Sequence, residues 1–169
     1  MAETQYYSAV GAIYTVSGAP TAGTDEVQTI IGNSTVTAGT FKLSFQGFTT
    51  AAISWTATTS IMETALNNLP SIANGGTGLV GVVVTGGALP GTTMTITFSG
   101  SNVAKKDVPL LVLASNSLTG GGSMTIAVGT PGVDATHRYA PKGALLIRTD
   151  DGSLSQNTGS AGAPTWTGR

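Results

Sequence analysis

Residues 39–47 read Gly-Thr-Phe-Lys-Leu-Ser-Phe-Gln-Gly, and this stretch decides the fold. Phe41, Leu43 and Phe45 alternate with polar residues at a period of two, which places three large apolar side chains on one face of a β-strand. Gly39 and Thr40 are predicted to form the corner before this strand. Because a lone strand cannot cover such a face, the pattern predicts a sheet that packs on a hydrophobic core.

Further short strands are predicted on both sides of this stretch. Ile53 and Trp55 follow the turn at Gly47, which suits a hairpin partner for the 41–45 strand, and Trp55 is predicted to lie in the core. The other predicted strands cover residues 27–31, 80–84, 94–98, 110–113 and 124–128, and glycine-rich turns separate them. About seven short strands indicate an all-β fold, an Ig-like or related β-sandwich over residues 25–130.

One segment, residues 60–69, departs from the β pattern and is predicted to form a single short helix. Ser60 and Glu63 have the spacing of a capping box, in which both side chains bind free amide groups of the first turn. Its apolar residues form one stripe, namely Met62, Ala65, Leu66 and Leu69. Pro70 prevents further propagation, and a helix this short requires packing, most simply against the sheet face that carries Phe41.

The composition excludes several classes of function. Charged residues make up only 9% of the 169 residues and the formal net charge is -1, so there is no basic surface for nucleic acid. The lack of cysteine excludes disulfides, thiolate metal sites and cysteine nucleophiles. Residues 1–5 lack the basic start of a signal peptide, and no apolar run approaches about eighteen residues. We therefore expect synthesis in the cytoplasm and no membrane association.

Residues 1–24 are predicted to form an extended N-terminal arm. This segment holds three of the four tyrosines, Tyr6, Tyr7 and Tyr14, and ends in a turn-rich run around Pro20. It is either a frayed terminus or an arm that docks on another surface through its tyrosines, since exposed aromatic side chains are unfavourable in a free tail.

Residues 131–169 are predicted to form a separate small β-hairpin or meander module. A strand over 144–148, a turn at Asp150-Asp151-Gly152, a return strand over 153–156 and a final strand over 164–167 fit the sequence. Its apolar content is nearly confined to four residues, Leu145, Ile147, Leu154 and Trp166. So small a core requires a partner surface, and these four residues are the predicted oligomer interface. Trp166 is open to either an interchain contact or local packing.

No motif for catalysis or phosphate binding is present. His137 is the single imidazole and has Asp134 three residues before it, but no nucleophile motif accompanies them. The Asp150-Asp151 pair fits a tight turn better than a cation site, and Asp25-Glu26 lacks the ligand spacing of a calcium loop. The Lys105-Lys106-Asp107 cluster is either a solvated strand start or a contact with an acidic partner. We expect no catalytic residue, cofactor or metal.

Two stretches resemble virion proteins of tailed bacteriophages. Glu26-Val27-Gln28-Thr29-Ile30, the 39–47 stretch and Met62-Glu63-Thr64-Ala65-Leu66 are similar to a β-rich domain that recurs in these virions, as are Val82-Val83-Val84 and Met94-Thr95-Ile96. Residues 140–150, with Gly152-Ser153-Leu154 and Pro164-Thr165-Trp166-Thr167, resemble the terminal module of phage head-fibre and tail-fibre proteins, in which three chains commonly associate.

The resemblance implies a capsid decoration or head-fibre protein on the capsid exterior. It would bind the major capsid protein, with the arm that carries Tyr6, Tyr7 and Tyr14 as the predicted capsid-docking segment, and form a homotrimer, without nucleic acid or membrane as partner. One alternative is a tail or baseplate component. Another is a carbohydrate- or cell-surface-binding module, for which an exposed aromatic such as Trp166 would serve.

Overall fold

The computed structural model describes residues 5–8, 11–73, 80–136, 140–159 and 164–169, with side chains from residue 13 onward. These residues form thirteen β-strands and two short helices, and the predicted all-β class is confirmed. In chain order they are β1 (Gln5–Ser8), β2 (Gly11–Val16), β3 (Val27–Gly32), β4 (Ala38–Phe45), β5 (Phe48–Thr49), β6 (Ile53–Ser54), α1 (Thr59–Asn67), α2 (Pro70–Ala73), β7 (Val82–Gly86), β8 (Met94–Phe98), β9 (Val112–Thr119), β10 (Met124–Thr130), β11 (Leu145–Arg148), β12 (Leu154–Asn157) and β13 (Trp166–Gly168). Neither helix is long and apolar enough to cross a membrane.

The chain divides into two compact units. Unit 2 is one continuous segment, Asp25–Gly132, whereas unit 1 combines both chain ends, Met1–Thr24 and Val133–Arg169. The prediction of a separate N-terminal arm over residues 1–24 is therefore wrong for β2, which pairs in parallel with β11 of the C-terminal segment. The two ends of the chain together build one sheet.

Unit 2 is a sandwich of two antiparallel sheets around one core. The first sheet has the strand order β10-β3-β8-β7, and in the second sheet β4 pairs with β5, β6 and β9. Phe41, Leu43 and Phe45 are fully buried, as their alternation predicts, and Phe45 stacks on Phe98 of the first sheet with ring centroids 5.4 Å apart. Ile53 pairs with Phe41 in the predicted hairpin, but Trp55 is only half-buried, so its assignment to the core is wrong.

The edge strand β9 is longer than the sequence predicts. It covers Val112–Thr119, and most of its side chains are exposed, which is why it shows no apolar alternation. Gly39 lies inside β4 rather than at a corner, and its φ of 105° is open to glycine but unfavourable for other residues. A Cβ there would approach the Ser117 carbonyl oxygen of β9 within 2.2 Å, so glycine permits this close pairing.

The helix α1 forms where it is predicted, but its cap is different. Thr58 is the N-cap residue and its hydroxyl accepts from the Ile61 N–H, whereas Ser60 lies inside the helix. The capping-box prediction is wrong because Glu63 instead accepts from the Val84 N–H of β7. Met62, Leu66 and Leu69 are buried in the core, as the stripe predicts, and α1 packs mainly against β7. α1 ends at Asn67, two residues earlier than predicted, and Pro70 begins α2.

Candidate functional site

The sheet of unit 1 has the strand order β1-β2-β11-β12-β13. Its central pair, β2 and β11, is parallel, and the other pairs are antiparallel. Adjacent residues along a strand point to opposite faces, and residues paired across neighbouring strands share a face. The register therefore assigns every residue of the candidate interface to one side of this sheet or the other.

One face of the sheet is the core of unit 1. Tyr14 and Leu146 are paired neighbours on this face and both are buried, together with Ala140 and Ala144. The Tyr14 ring contacts the Trp166 ring edge to face, with centroids 6.3 Å apart. The prediction that Tyr14 docks on a capsid is thus wrong, because its side chain is buried inside its own unit.

The opposite face carries four aliphatic side chains that are partly exposed, beside the polar Thr15 and Gln156. Leu145 pairs with Ile13, and Ile147 pairs with Leu154, so these four side chains lie together on one side of three adjacent strands. Ile147 is 38% exposed and Leu154 is 36% exposed, while Ile13 and Leu145 are half-buried. We call Ile13, Leu145, Ile147 and Leu154 the apolar sheet face. It brings together three of the four predicted oligomer-interface residues and adds Ile13, which the sequence placed in the arm.

Trp166 does not belong to the apolar sheet face. It pairs with Asn157 on the core side of the sheet, and its indole N–H donates to the Thr136 carbonyl at 2.9 Å. Its ring is half-buried against Tyr14. Its ring therefore packs locally within this unit, on the side of the sheet opposite the apolar sheet face.

An ion-pair cluster closes the hairpin between β11 and β12. The Arg148 guanidinium donates to Asp150 Oδ2 at 2.6 Å, and Arg148 Nη1 lies 2.8 Å from Asp151 Oδ2. The hydrogen bond between Arg148 and Asp150 raises the pKa of Arg148 and lowers the pKa of Asp150. The backbone N–H of Ser153 donates to Asp151 Oδ1 at 2.8 Å, and this bond is the main cause of a lowered pKa at Asp151. The predicted turn forms, and both carboxylates are engaged within it.

We expect acid to remove the stabilisation from this cluster. A carboxyl group whose pKa falls on folding stabilises the fold above its ordinary value, here 3.8, and this contribution is lost as the pH falls through the lower folded pKa. An NMR titration of the carboxyl carbon of Asp150 is expected to give a midpoint below 3.8. Arg148→Gln is expected to raise that midpoint, whereas Arg169→Gln leaves it unchanged. A midpoint in the wild type at or above the ordinary value would contradict the cluster.

Among the residues that the structure describes, the other candidates are not brought together into a reactive site. His137 lies outside the described residues, as do the side chains of Tyr6 and Tyr7, whose backbone in β1 pairs with β2. Asp25 accepts from the Lys105 backbone N–H at 2.8 Å, and Glu26 is buried and accepts from Gln28 and Gly132. Both acidic groups are thus occupied in holding loops of unit 2.

The groove beside α1 has no ionisable side chain in its lining. It is shallow, has a volume of about 310 Å³ and is lined by small or apolar residues, Ala51, Ser60, Ile61, Thr64, Ala65 and Asn68. Within the described part of the chain, no group of three or more His, Asp or Glu side chains is placed to hold a metal ion.

No protein-family model and no curated protein matches the sequence. Among solved structures, the chain is similar to one from Mycobacterium phage Patience, with 15% sequence identity and a TM-score of 0.40. The alignment covers 86% of this chain and 55% of that chain, so this chain spans little more than half of that chain's length. A likeness of this strength does not by itself show a shared function.

Proposed function

We propose that the chain is a structural protein of a tailed-bacteriophage virion that decorates the capsid, binds the major capsid protein and forms a homotrimer without catalysis. The apolar sheet face carries this proposal, because one copy alone leaves four aliphatic side chains of a small unit in contact with water. The sequence resemblance of residues 140–167 to terminal modules of phage fibres supports association of three copies through this face.

The strength of such a trimer follows from the area that the apolar sheet face can still bury. Full burial of a Leu or Ile side chain contributes about 1.5–3 kcal/mol, so a side chain already two-thirds buried adds about 0.5–1 kcal/mol. Because Ile13 and Leu145 are less exposed than Ile147 and Leu154, the twelve side chains in three copies contribute at most about 6–12 kcal/mol. Bringing two further copies to the first costs about 8 kcal/mol or more. We therefore propose a concentration-dependent trimer that is strengthened when copies bind side by side on a shell.

Charged substitutions on the apolar sheet face test this association. We expect Ile147→Glu and Leu154→Glu each to abolish the trimer in sedimentation-velocity runs, because three like charges would then lie together in a desolvated centre. Val112→Glu is the matched control, since Val112 is also an exposed aliphatic residue on a strand but lies in unit 2. A trimer that survives both substitutions, or that only Val112→Glu dissociates, would contradict the role of this face.

Binding to the shell is proposed to involve the β1 segment, which carries Tyr6 and Tyr7. Deleting residues 1–24 would also remove β2 from the sheet, so point substitutions are the cleaner test. We propose that Tyr6→Ala and Tyr7→Ala, tested separately, each reduce co-sedimentation with capsid shells assembled without this protein. Because Tyr6 pairs with Ile13 of the apolar sheet face, persistence of the trimer is expected only for Tyr7→Ala. Undiminished co-sedimentation would exclude these tyrosines.

The location on the particle separates this proposal from its nearest alternative. Labelled protein on the head in electron micrographs would support a capsid decoration protein, whereas label confined to the tail would support a tail or baseplate component. The carbohydrate-binding alternative rests on Trp166, which in unit 1 packs on Tyr14 and donates to Thr136.

A further inference from the structure

The strand β7 is an edge of the first sandwich sheet, and side chains of α1 cover that edge. β7 pairs with β8 on one side only. On its free side, Asn67 Oδ1 accepts from the N–H groups of Gly81 and Val82 at 2.7 Å and 2.9 Å, and Asn67 Nδ2 donates to the Val82 carbonyl at 3.1 Å. Glu63 Oε2 accepts from the Val84 N–H at 2.9 Å. Two side chains one helical turn apart thus occupy the backbone groups along this edge.

The covered strand has the features of a strand that pairs readily with another strand. Its sequence is Val-Val-Val-Thr-Gly, with three successive β-branched apolar residues and no charge or proline. Natural proteins protect such edges with charges, prolines, bulges or covering elements, because unpaired N–H and C=O groups accept a strand from another chain. The covering by α1 is the protection found here.

We infer that Glu63 and Asn67 hold α1 along β7 as a guard, so that without their hydrogen bonds α1 separates from this edge and β7 pairs with β7 of a second copy of this chain. An identical strand suits the edge, because the outward groups of Val82 and Val84 complement each other when two β7 strands run antiparallel. In that arrangement Val82 of one copy exchanges hydrogen bonds with Val84 of the other, and Val83 faces Val83 across the twofold axis. This guard is independent of the proposed trimer, which uses unit 1.

A cysteine at position 83 detects this pairing directly. Val83 is 40% exposed, and the chain has no cysteine, so Val83→Cys introduces a single thiol. Opposed residues of a non-hydrogen-bonded antiparallel pair have Cα atoms about 4.5 Å apart, within the range of about 4.4–6.8 Å that a disulfide spans. All variants carry Ile147→Glu, so that association through the apolar sheet face does not contribute.

The comparison is made by mild oxidation and non-reducing electrophoresis of folded protein. We expect Glu63→Ala with Asn67→Ala to convert most of the Val83→Cys protein into a covalent dimer, while Val83→Cys alone stays monomeric. Lys42→Cys in the unguarded background is the control, because Lys42 is exposed in the middle of the other sheet, and it is expected to stay monomeric.

A second variant keeps the test decisive if the double substitution unfolds unit 2. Glu63→Ser with Asn67→Ser removes the same long side chains but leaves short hydroxyl groups in their place, and it is expected to give the same Val83→Cys dimer. Equal dimer yields with and without the guard, equal yields at positions 83 and 42, or no dimer in either unguarded protein would overturn the inference.

Discussion

Replacing Glu26 with alanine is expected to lower the free energy of unfolding by about 3–5 kcal/mol, because two donors would lose their acceptor inside the protein. The Glu26 side chain is 1% exposed. Its Oε1 accepts from Gln28 Nε2 at 3.1 Å, and its Oε2 accepts from the Gly132 N–H at 2.7 Å. The carboxylate thereby ties the last residue of unit 2 to its first strand.

The same network holds a third segment. Gln28 is fully buried, its amide donates to the Pro109 carbonyl at 3.0 Å, and its oxygen accepts from the Leu111 N–H at 2.9 Å. Gly132 is packed so closely that a Cβ would lie 2.0 Å from the Lys106 carbonyl oxygen. Loss of Glu26 therefore leaves the donors of Gln28 and Gly132 without this acceptor. The close packing prevents water or a shifted backbone from replacing it.

Two control variants make the Glu26 result specific, and urea unfolding measures all three. Glu26→Gln keeps one acceptor but turns an N–H₂ group towards a donor, so we expect an intermediate loss of about 1–3 kcal/mol. Asp107→Ala removes an exposed acid of the same unit, and we expect a change within about 0.5 kcal/mol. A loss for Glu26→Ala no larger than that for Asp107→Ala would contradict the buried network.

Replacing Asn157 with alanine is expected to cost unit 1 about 2–4 kcal/mol, since four hydrogen bonds depend on this one amide. The side chain is 1% exposed. Its Nδ2 donates to the carbonyls of Ala140 and Pro141 at 2.8 Å and 3.2 Å, and its Oδ1 accepts from the N–H groups of Gly159 and Thr165, both at 2.9 Å. These bonds fix the segment before β11 and the segment after β12 to Asn157, which lies in β12.

The loss is expected to appear locally in hydrogen exchange. The core of unit 1 is small, so amides of β11 and β12 are expected to exchange faster in Asn157→Ala, while those of β4 in unit 2 keep their protection. Asn157→Asp keeps the acceptor and loses both donors, so we expect a partial effect. Gln156→Ala, the neighbouring residue on the opposite face, is the control. Unchanged exchange in β11 for Asn157→Ala would show that the amide is not needed.

Local pattern predicts the central strands well, because their alternation records burial on one face. Phe41, Leu43 and Phe45 are such a case, and all three are buried. The same logic fails for β9, whose exposed side chains have no reason to alternate. A strand with one buried face shows an alternating pattern in the sequence. An edge strand whose side chains are mostly exposed does not.

The sequence pattern does not predict which distant segments pair with each other. Tyr14 and Leu146 are neighbours in a parallel pair although 132 positions separate them, so the N-terminal segment resembles a free arm until the sheet is seen. Glu63 fits a capping box locally, yet its carboxylate binds β7. Glu26 looks like half of an acidic pair, and only the fold shows that it is buried.

The candidate site was predicted in part for the same reason. The C-terminal module has few apolar residues, and this scarcity identifies Leu145, Ile147 and Leu154 as interface candidates. The three residues share one face of the sheet. Ile13 could be added only from its register with Leu145, and Trp166 could be removed only from its pairing with Asn157. Residue type indicates an interface, but only the strand register shows on which face of the sheet each residue lies.

Native mass measurement of the purified full chain over a range of micromolar concentrations tests the central claim most directly. The proposed trimer predicts a species of three times the 16.8 kDa chain mass that grows with concentration and is absent in Ile147→Glu. A chain that remains a monomer at every concentration, and that also binds capsid shells as a monomer, would contradict the account.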